Sequence, residues 1–178
     1  MPALIIFALR AGMLIFLQSI LLAKTVDTCF SPLGHCDQVL TSWIDSSEKK
    51  LDGAIYGLTD PDIAAALVRA KKRGVHVRVI QDRSQSKGRG NALSPIRNAG
   101  IDIRIQNGSG GGIQHNKFLV IDEKYVVTGS FNWTVNATDR NDENFVVLDD
   151  EGPKFENEFE RLWSGAKVYR QRHRRHHG

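Results

Sequence analysis

Apolar residues recur along this chain with two alternating periods. Val39, Leu40, Trp43 and Ile44 stand at helical spacing and predict an amphipathic helix over residues 37–49. Leu51 to Leu58 reads as a strand. Asp60-Pro61 opens a second helix with Ile63, Ala66, Leu67 and Ala70 on one face, and Gly74 closes it. Val75 to Ile80 predicts a strand ending at Asp82, and polar residues 83–91 predict an exposed loop. A short helix over 92–99, a strand over 101–106, a glycine-rich turn at 108–112 and a strand over 114–121 follow. The turn Asp122-Glu123-Lys124 folds that strand back along 125–128; a strand over 145–148 and a helix over 155–163 complete the pattern. Such alternation predicts one α/β domain, a mixed sheet flanked by helices.

The start of the chain departs from this pattern. Residues 3–23 are apolar except for Arg10, Gln18 and Ser19. The run after Arg10 has the length of a signal-peptide core, and the whole stretch is long enough to span a bilayer. Residues 1–23 are therefore expected to be a cleaved signal or a retained membrane anchor, with a buried core helix as the bland alternative. Either leading reading exports the rest of the chain, to the periplasm or beyond, or anchors it by residues 3–23. Residues 24–166 form the expected domain and 167–178 a basic tail.

Composition narrows the class. Hydrophobic residues are 41% and charged residues 25% of 178, which suits a chain with a core and argues against disorder. Two cysteines are too few for a disulfide-rich scaffold or a four-cysteine zinc site. Pro32 and Gly34 turn the chain between Cys29 and Cys36, so a short-loop disulfide is expected in an oxidising compartment; a metal site with His35 would need further ligands. The net charge of +4 is mildly basic. The basic residues gather in the loop at Arg83, Lys87 and Arg89 and in the tail at Arg170, Arg172, Arg174 and Arg175, positions suited to the backbone of a nucleic acid.

The chemistry concentrates in His115-Asn-Lys117, then four residues to Asp122, then six to Gly129-Ser130-Phe-Asn132. On a strand, His115 and Lys117 would share a face. The hairpin would return Gly129, Ser130 and Asn132 to the same end of the sheet. An imidazole, a cation and neutral donors together suit a phosphoryl group, whose charge spreads over its oxygens.

That spacing resembles the signature of the phospholipase D superfamily at every defined position. The chain is most similar to its single-motif bacterial endonuclease branch, through Cys29-Phe-Ser-Pro to Cys36, Gly129-Ser-Phe-Asn-Trp133 and Asn141-Asp-Glu143-Asn144, over roughly residues 29–163. The resemblance implies a phospholipase D-like α-β-α sandwich and a phosphodiesterase with no metal and no cofactor. It implies a covalent phosphohistidine at His115, phosphate binding by Lys117, Ser130 and Asn132, and orientation of the histidine by Glu143. Asp122 belongs to the catalytic signature, yet its place at the far end of the strand points to a structural role. A single motif per chain implies a homodimer whose two His115 residues meet at one site. The expected substrate is DNA, and RNA as well. A phospholipase or cardiolipin-type hydrolase at a membrane, and a catalytically silent nucleic-acid-binding module, are the alternatives.

Overall fold

The computed structural model describes residues 24–88 and 90–169. Eight strands among them form one sheet: β1 (Lys24–Ser31), β2 (Lys50–Ile55), β3 (His76–Asp82), β4 (Asp102–Gln106), β5 (Lys117–Ile121), β6 (Tyr125–Gly129), β7 (Glu143–Asp149) and β8 (Lys167–Val168). Their order is β1-β7-β6-β5-β2-β3-β4-β8. β2, β3 and β4 run parallel, and the other pairs are antiparallel. The expected mixed sheet with flanking helices is the observed fold.

Alternation along the strands divides the core into two layers. Leu51 and Ile55 of β2, Val77 and Val79 of β3, and Leu119 and Ile121 of β5 join the larger layer. There they meet α1 (Cys36–Asp45), α2 (Pro61–Lys72), α3 (Leu93–Asn98) and α4 (Val135–Asp139). Ala54, Ile80, Phe118 and Val120 face the other way, onto Phe159 and Leu162 of α5 (Gly152–Gly165). The start of α2 follows from local chemistry: the Asp60 carboxylate accepts from the backbone N–H of Asp62 at 2.9 Å and of Ile63 at 3.2 Å, with Pro61 in the first turn.

Three elements differ from the sequence-level expectation. β1 is a full strand paired with β7 from Lys24↔Asp149 to Ser31↔Glu143, where only a disulfide-closed turn is expected. Its polar residues Lys24, Thr25, Asp27 and Thr28 hide a strand whose stability comes from the β7 ladder. α4 forms because the Thr134 side chain accepts from Ala137 N, a cap too brief to show periodicity. Lys167 and Val168, expected in the basic tail, pair with Ile105 and Arg104 of β4 as an edge strand. The Cys29–Cys36 disulfide is formed, with Cα atoms 5.6 Å apart. No described helix is long and apolar enough to cross a membrane. The signal or anchor of residues 1–23, Arg89, and Arg170, Arg172, Arg174 and Arg175 lie outside the described residues.

Candidate active site

Four chain segments converge at one end of the sheet. They are Tyr56-Gly57 beyond β2, Gln114 to Lys117 leading into β5, Gly129 to Asn132 leaving β6, and Asn141 to Asn144 entering β7. The ladders set this meeting: Phe118 pairs with Thr128, and Gly129 pairs with Phe145. Gly129 is required there, because a Cβ would strike the Asn144 carbonyl oxygen and come within 2.7 Å of Phe145 Cα.

β5 begins at Lys117, so His115 precedes the strand rather than standing within it. The physical reason is that side chains replace the ladder. The buried Asp82 carboxylate accepts from Gln114 N at 2.9 Å, and Gln114 Oε1 accepts from Asn116 N at 2.6 Å. His115 is thereby held at the rim and exposed, its ring edge-on to Tyr56 at a 4.8 Å centroid separation. Neither ring nitrogen hydrogen-bonds to another described residue, so both are available to a ligand.

Lys117 Nζ donates to the His115 carbonyl oxygen at 2.8 Å and lies 5.2 Å from the Tyr56 ring centroid. Burial pushes this ammonium below the ordinary lysine range, and the nearby Glu143 carboxylate acts in the opposite direction. Asn132 is aligned by its backbone and side chain together. Its N–H donates to Glu143 Oε2 at 3.3 Å, and its Oδ1 accepts from Gly57 N at 3.2 Å. Fixing Oδ1 there leaves Nδ2 as the donor offered outward. Ser130 Oγ accepts from Asn144 N at 3.0 Å, which leaves its hydroxyl hydrogen to donate.

His115, Lys117, Ser130, Asn132 and Glu143 are thus gathered, and Asp122 stands apart from them. Glu143 accepts from Asn141 Nδ2 at 2.9 Å and from Asn132 N, and within the chain it does not bond His115. It positions Asn132 and supports the Lys117 charge. Asp122 does not join the site. Its carboxylate accepts from the backbone N–H groups of Glu48, Lys49 and Lys50 at 2.7–3.0 Å, tying the α1–β2 connection to the opposite end of β5. Although Asp122 belongs to the catalytic signature, these bonds give it the structural role that its place at the far end of the strand suggests.

Two site residues escaped the sequence reading. Tyr56 is simply the residue after an apolar strand, and no local pattern marks it. Asp82 left a trace, as a polar Gln81-Asp82 end to the apolar run of β3. Besides Gln114, Asp82 holds Ser84 N at 2.8 Å, fastening the basic loop beside the site, and Gln85 of that loop donates to Tyr56 Oη at 3.0 Å. Arg83 and Lys87 stand on this loop, with Lys87 exposed.

The chain supplies one imidazole to the cluster from its described residues. His76 starts β3, at the end of the sheet remote from Asp82. His35 stands at the start of α1, beside β1. β1 lies three strand positions from β5, about 14 Å at ordinary strand spacing. Among the described residues one group of carboxylates, Asp52, Glu156 and Glu160, is close enough to share a cation. Arg78 and Lys50 fill it, donating to Asp52, Glu156 and Glu160.

Residues 40–163 match a family described as cardiolipin synthase, PLD-like domain. A phospholipase D of Rickettsia felis is 41% identical over 130 residues, 73% of this chain and 64% of that protein. A mitochondrial cardiolipin hydrolase of Xenopus tropicalis is 37% identical over 140 residues, 76% of this chain and 66% of that protein. The chain thus spans less than two thirds of the length of these relatives. Among solved structures, the phospholipase D family member Nuc from Salmonella typhimurium superposes with a TM-score of 0.77 at 33% identity, covering 84% of this chain and all of that one. NucT from Helicobacter pylori gives 0.76 at 25% identity, covering 83% and 100%.

Proposed function

The chain belongs to the phospholipase D superfamily, and from that membership we propose that it is a metal-independent phosphodiesterase that cuts nucleic acid at a site completed by a second copy of itself. The observation that carries this reading is the exposed His115 with two unengaged ring nitrogens, beside Lys117, Ser130 and Asn132 as donors. In the first step a His115 nitrogen attacks phosphorus. A P–N bond forms, the P–O bond to the leaving group breaks, and His115 of the second copy gives its proton to the leaving oxygen. In the second step that imidazole takes a proton from water. The water oxygen attacks phosphorus and His115 departs.

The donors suit the oxygens that stay on phosphorus. Lys117 spends one N–H on the His115 carbonyl and keeps two. Nδ2 of Asn132 and the Ser130 hydroxyl complete the set, already aimed before substrate arrives. The second copy follows from the inventory of imidazoles: one His115 cannot be both nucleophile and leaving-group acid, and no other described histidine is near. A twofold axis through the cleft would supply the partner.

Nucleic acid is favoured over lipid by the cleft beside His115, about 400 Å³, where Asn107, Ser109, Gln114, Asn116 and Arg161 outnumber the apolar Ile113 and Leu162. The lipid alternative has one observation in its favour. Phe30 and Leu33, 67% and 91% exposed, stand on the disulfide loop next to Glu143 and offer an apolar tip to a bilayer. The disulfide also supports an exported location. Purified chain should cut plasmid DNA or RNA, rather than cardiolipin vesicles, in the presence of EDTA. Activity confined to cardiolipin would replace this reading with the lipid one, and activity restored only by magnesium would end the metal-independent mechanism. Mixing wild-type with His115→Asn chains should leave hybrid dimers inactive.

A further inference from the structure

Three contiguous clefts run from His115 to the β4–β8 edge of the sheet. The first, beside His115, shares Asn107, Gly108, Ser109 and Arg161 with a second of about 430 Å³. The second shares Arg83, Ile105 and Lys167 with a third of about 390 Å³, which extends to Lys87 and Tyr169. No aspartate or glutamate lines any of the three.

Among the described residues three cations of this path, Arg83, Lys87 and Lys167, stand outside the molecule's ion pairs, as Lys49, Lys71 and Lys72 do elsewhere, but here they are gathered along one line of clefts. Lys50, Arg69, Arg73, Arg78, Lys124, Lys154 and Arg161 are all paired with carboxylates. Among the described residues Arg83, Lys87 and Lys167 have no carboxylate partner, and Arg83 Nε makes no hydrogen bond. Uncompensated like charges held along one path raise the local potential and attract a polyanion. Arg161 has a different part. Glu158 neutralises it through two 2.7 Å bonds while its Nη1 donates to Ser109 Oγ at 3.1 Å, pinning the glycine-rich turn to α5. That turn is tight enough to require glycine at 108, where a Cβ would come within 2.6 Å of the Ile113 carbonyl oxygen. It keeps bulky side chains out of the passage between His115 and Arg83.

We infer that this path is the track of the substrate strand: the sugar-phosphate backbone of a single-stranded nucleic acid leaves His115, crosses the glycine-rich turn, and runs between Arg83, Lys87 and Lys167 to Tyr169. The inference rests on the nucleic-acid reading and adds to it which surface holds the strand beyond the scissile phosphate. β8 is what builds the far wall, by folding Lys167 back against Ile105. Tyr169, half-buried and held by a 3.0 Å bond from its N–H to the Ile103 carbonyl oxygen, gives a base a ring to stack on.

The test compares a dinucleotide with a long single-stranded oligonucleotide, using the full chain. Lys87 and Lys167 are both exposed, so Lys87→Ala/Lys167→Ala should fold normally. It should lower kcat/KM on the long substrate about tenfold at low salt, change the dinucleotide less than twofold, and flatten the slope of log affinity against log salt by about 1.4. Lys167→Glu, read by direct oligonucleotide binding, should weaken affinity further, and Lys72→Ala on α2 should change nothing. A wild-type preference for the long substrate that survives unaltered in the double variant overturns the track and spares the nuclease reading. A wild-type chain that cuts neither substrate removes both.

Discussion

Two charged clusters share the strands β2 and β3 and treat charge in opposite ways. On the α5 face, Asp52 is fully buried and Arg78 nearly so. Arg78 meets Asp52 at 2.6 Å and Glu160 at 2.6 Å, and its guanidinium lies 4.8 Å from the Phe159 ring centroid. Burial works against the Arg78 charge, but the carboxylate hydrogen bonds more than offset it and hold the group ionised. A few residues along the same strands, Tyr56 and Asp82 support a site where His115 is exposed and unbonded and where Arg83 and Lys87 lack carboxylates. Compensated charge holds the sheet to its helix. Uncompensated charge, kept at the rim where water can solvate it, is left for a ligand to neutralise.

Four substitutions probe that contrast. His115→Asn should reduce turnover by at least about 10⁴-fold with the melting temperature essentially unchanged, because the ring touches little but Tyr56. Near-normal cutting would break the assignment of the nucleophile. Arg78→Met should do the reverse. It strands Asp52 without its main counter-charge and should cost about 3–5 kcal/mol in denaturant unfolding, with kcat preserved wherever the chain is folded.

Asp122→Ala removes the acceptor of three backbone N–H groups and should cost about 1–3 kcal/mol, again with kcat preserved. A large fall in kcat at unchanged stability would return Asp122 to the chemistry. The smallest effect concerns Lys117. On the proposed function its charge holds phosphate, and burial lowers its pKa, so activity should fall as pH rises through a value below the ordinary lysine range. Glu143 opposes that lowering, so Glu143→Gln should move the alkaline limb of the pH profile to still lower pH. A shift upward, measured as kcat/KM against pH, would show that Glu143 does not act on Lys117.

The motif itself was legible because its parts are close in sequence. His115, Lys117, Gly129, Ser130 and Asn132 lie in or directly beside one hairpin, so a single turn suffices to bring them to the same end of the sheet. Asp122 was legible as part of the signature but not as a tie for Glu48 to Lys50, which are more than seventy residues away. The partners that Glu143 takes within the chain were not legible for a related reason. Its first partners, Asn141 and Asn132, are set by how β6 and the residues before β7 cross, and no spacing rule encodes that crossing.

The sequence by itself determined the alternation of helices and strands, the two-layered core and which side chains gather at the end of the hairpin. These depend on periodicity and on local turn and cap chemistry, which act over a few residues. Tertiary structure alone decided that Asp82 fastens the His115 segment, that Tyr56 packs against both His115 and Lys117, and that Lys167 belongs to an edge strand instead of a tail. It also decided which cations are neutralised and which are left open. Each of those outcomes depends on strand order, and strand order is chosen by the burial of whole faces together, a global balance that no short stretch of residues records.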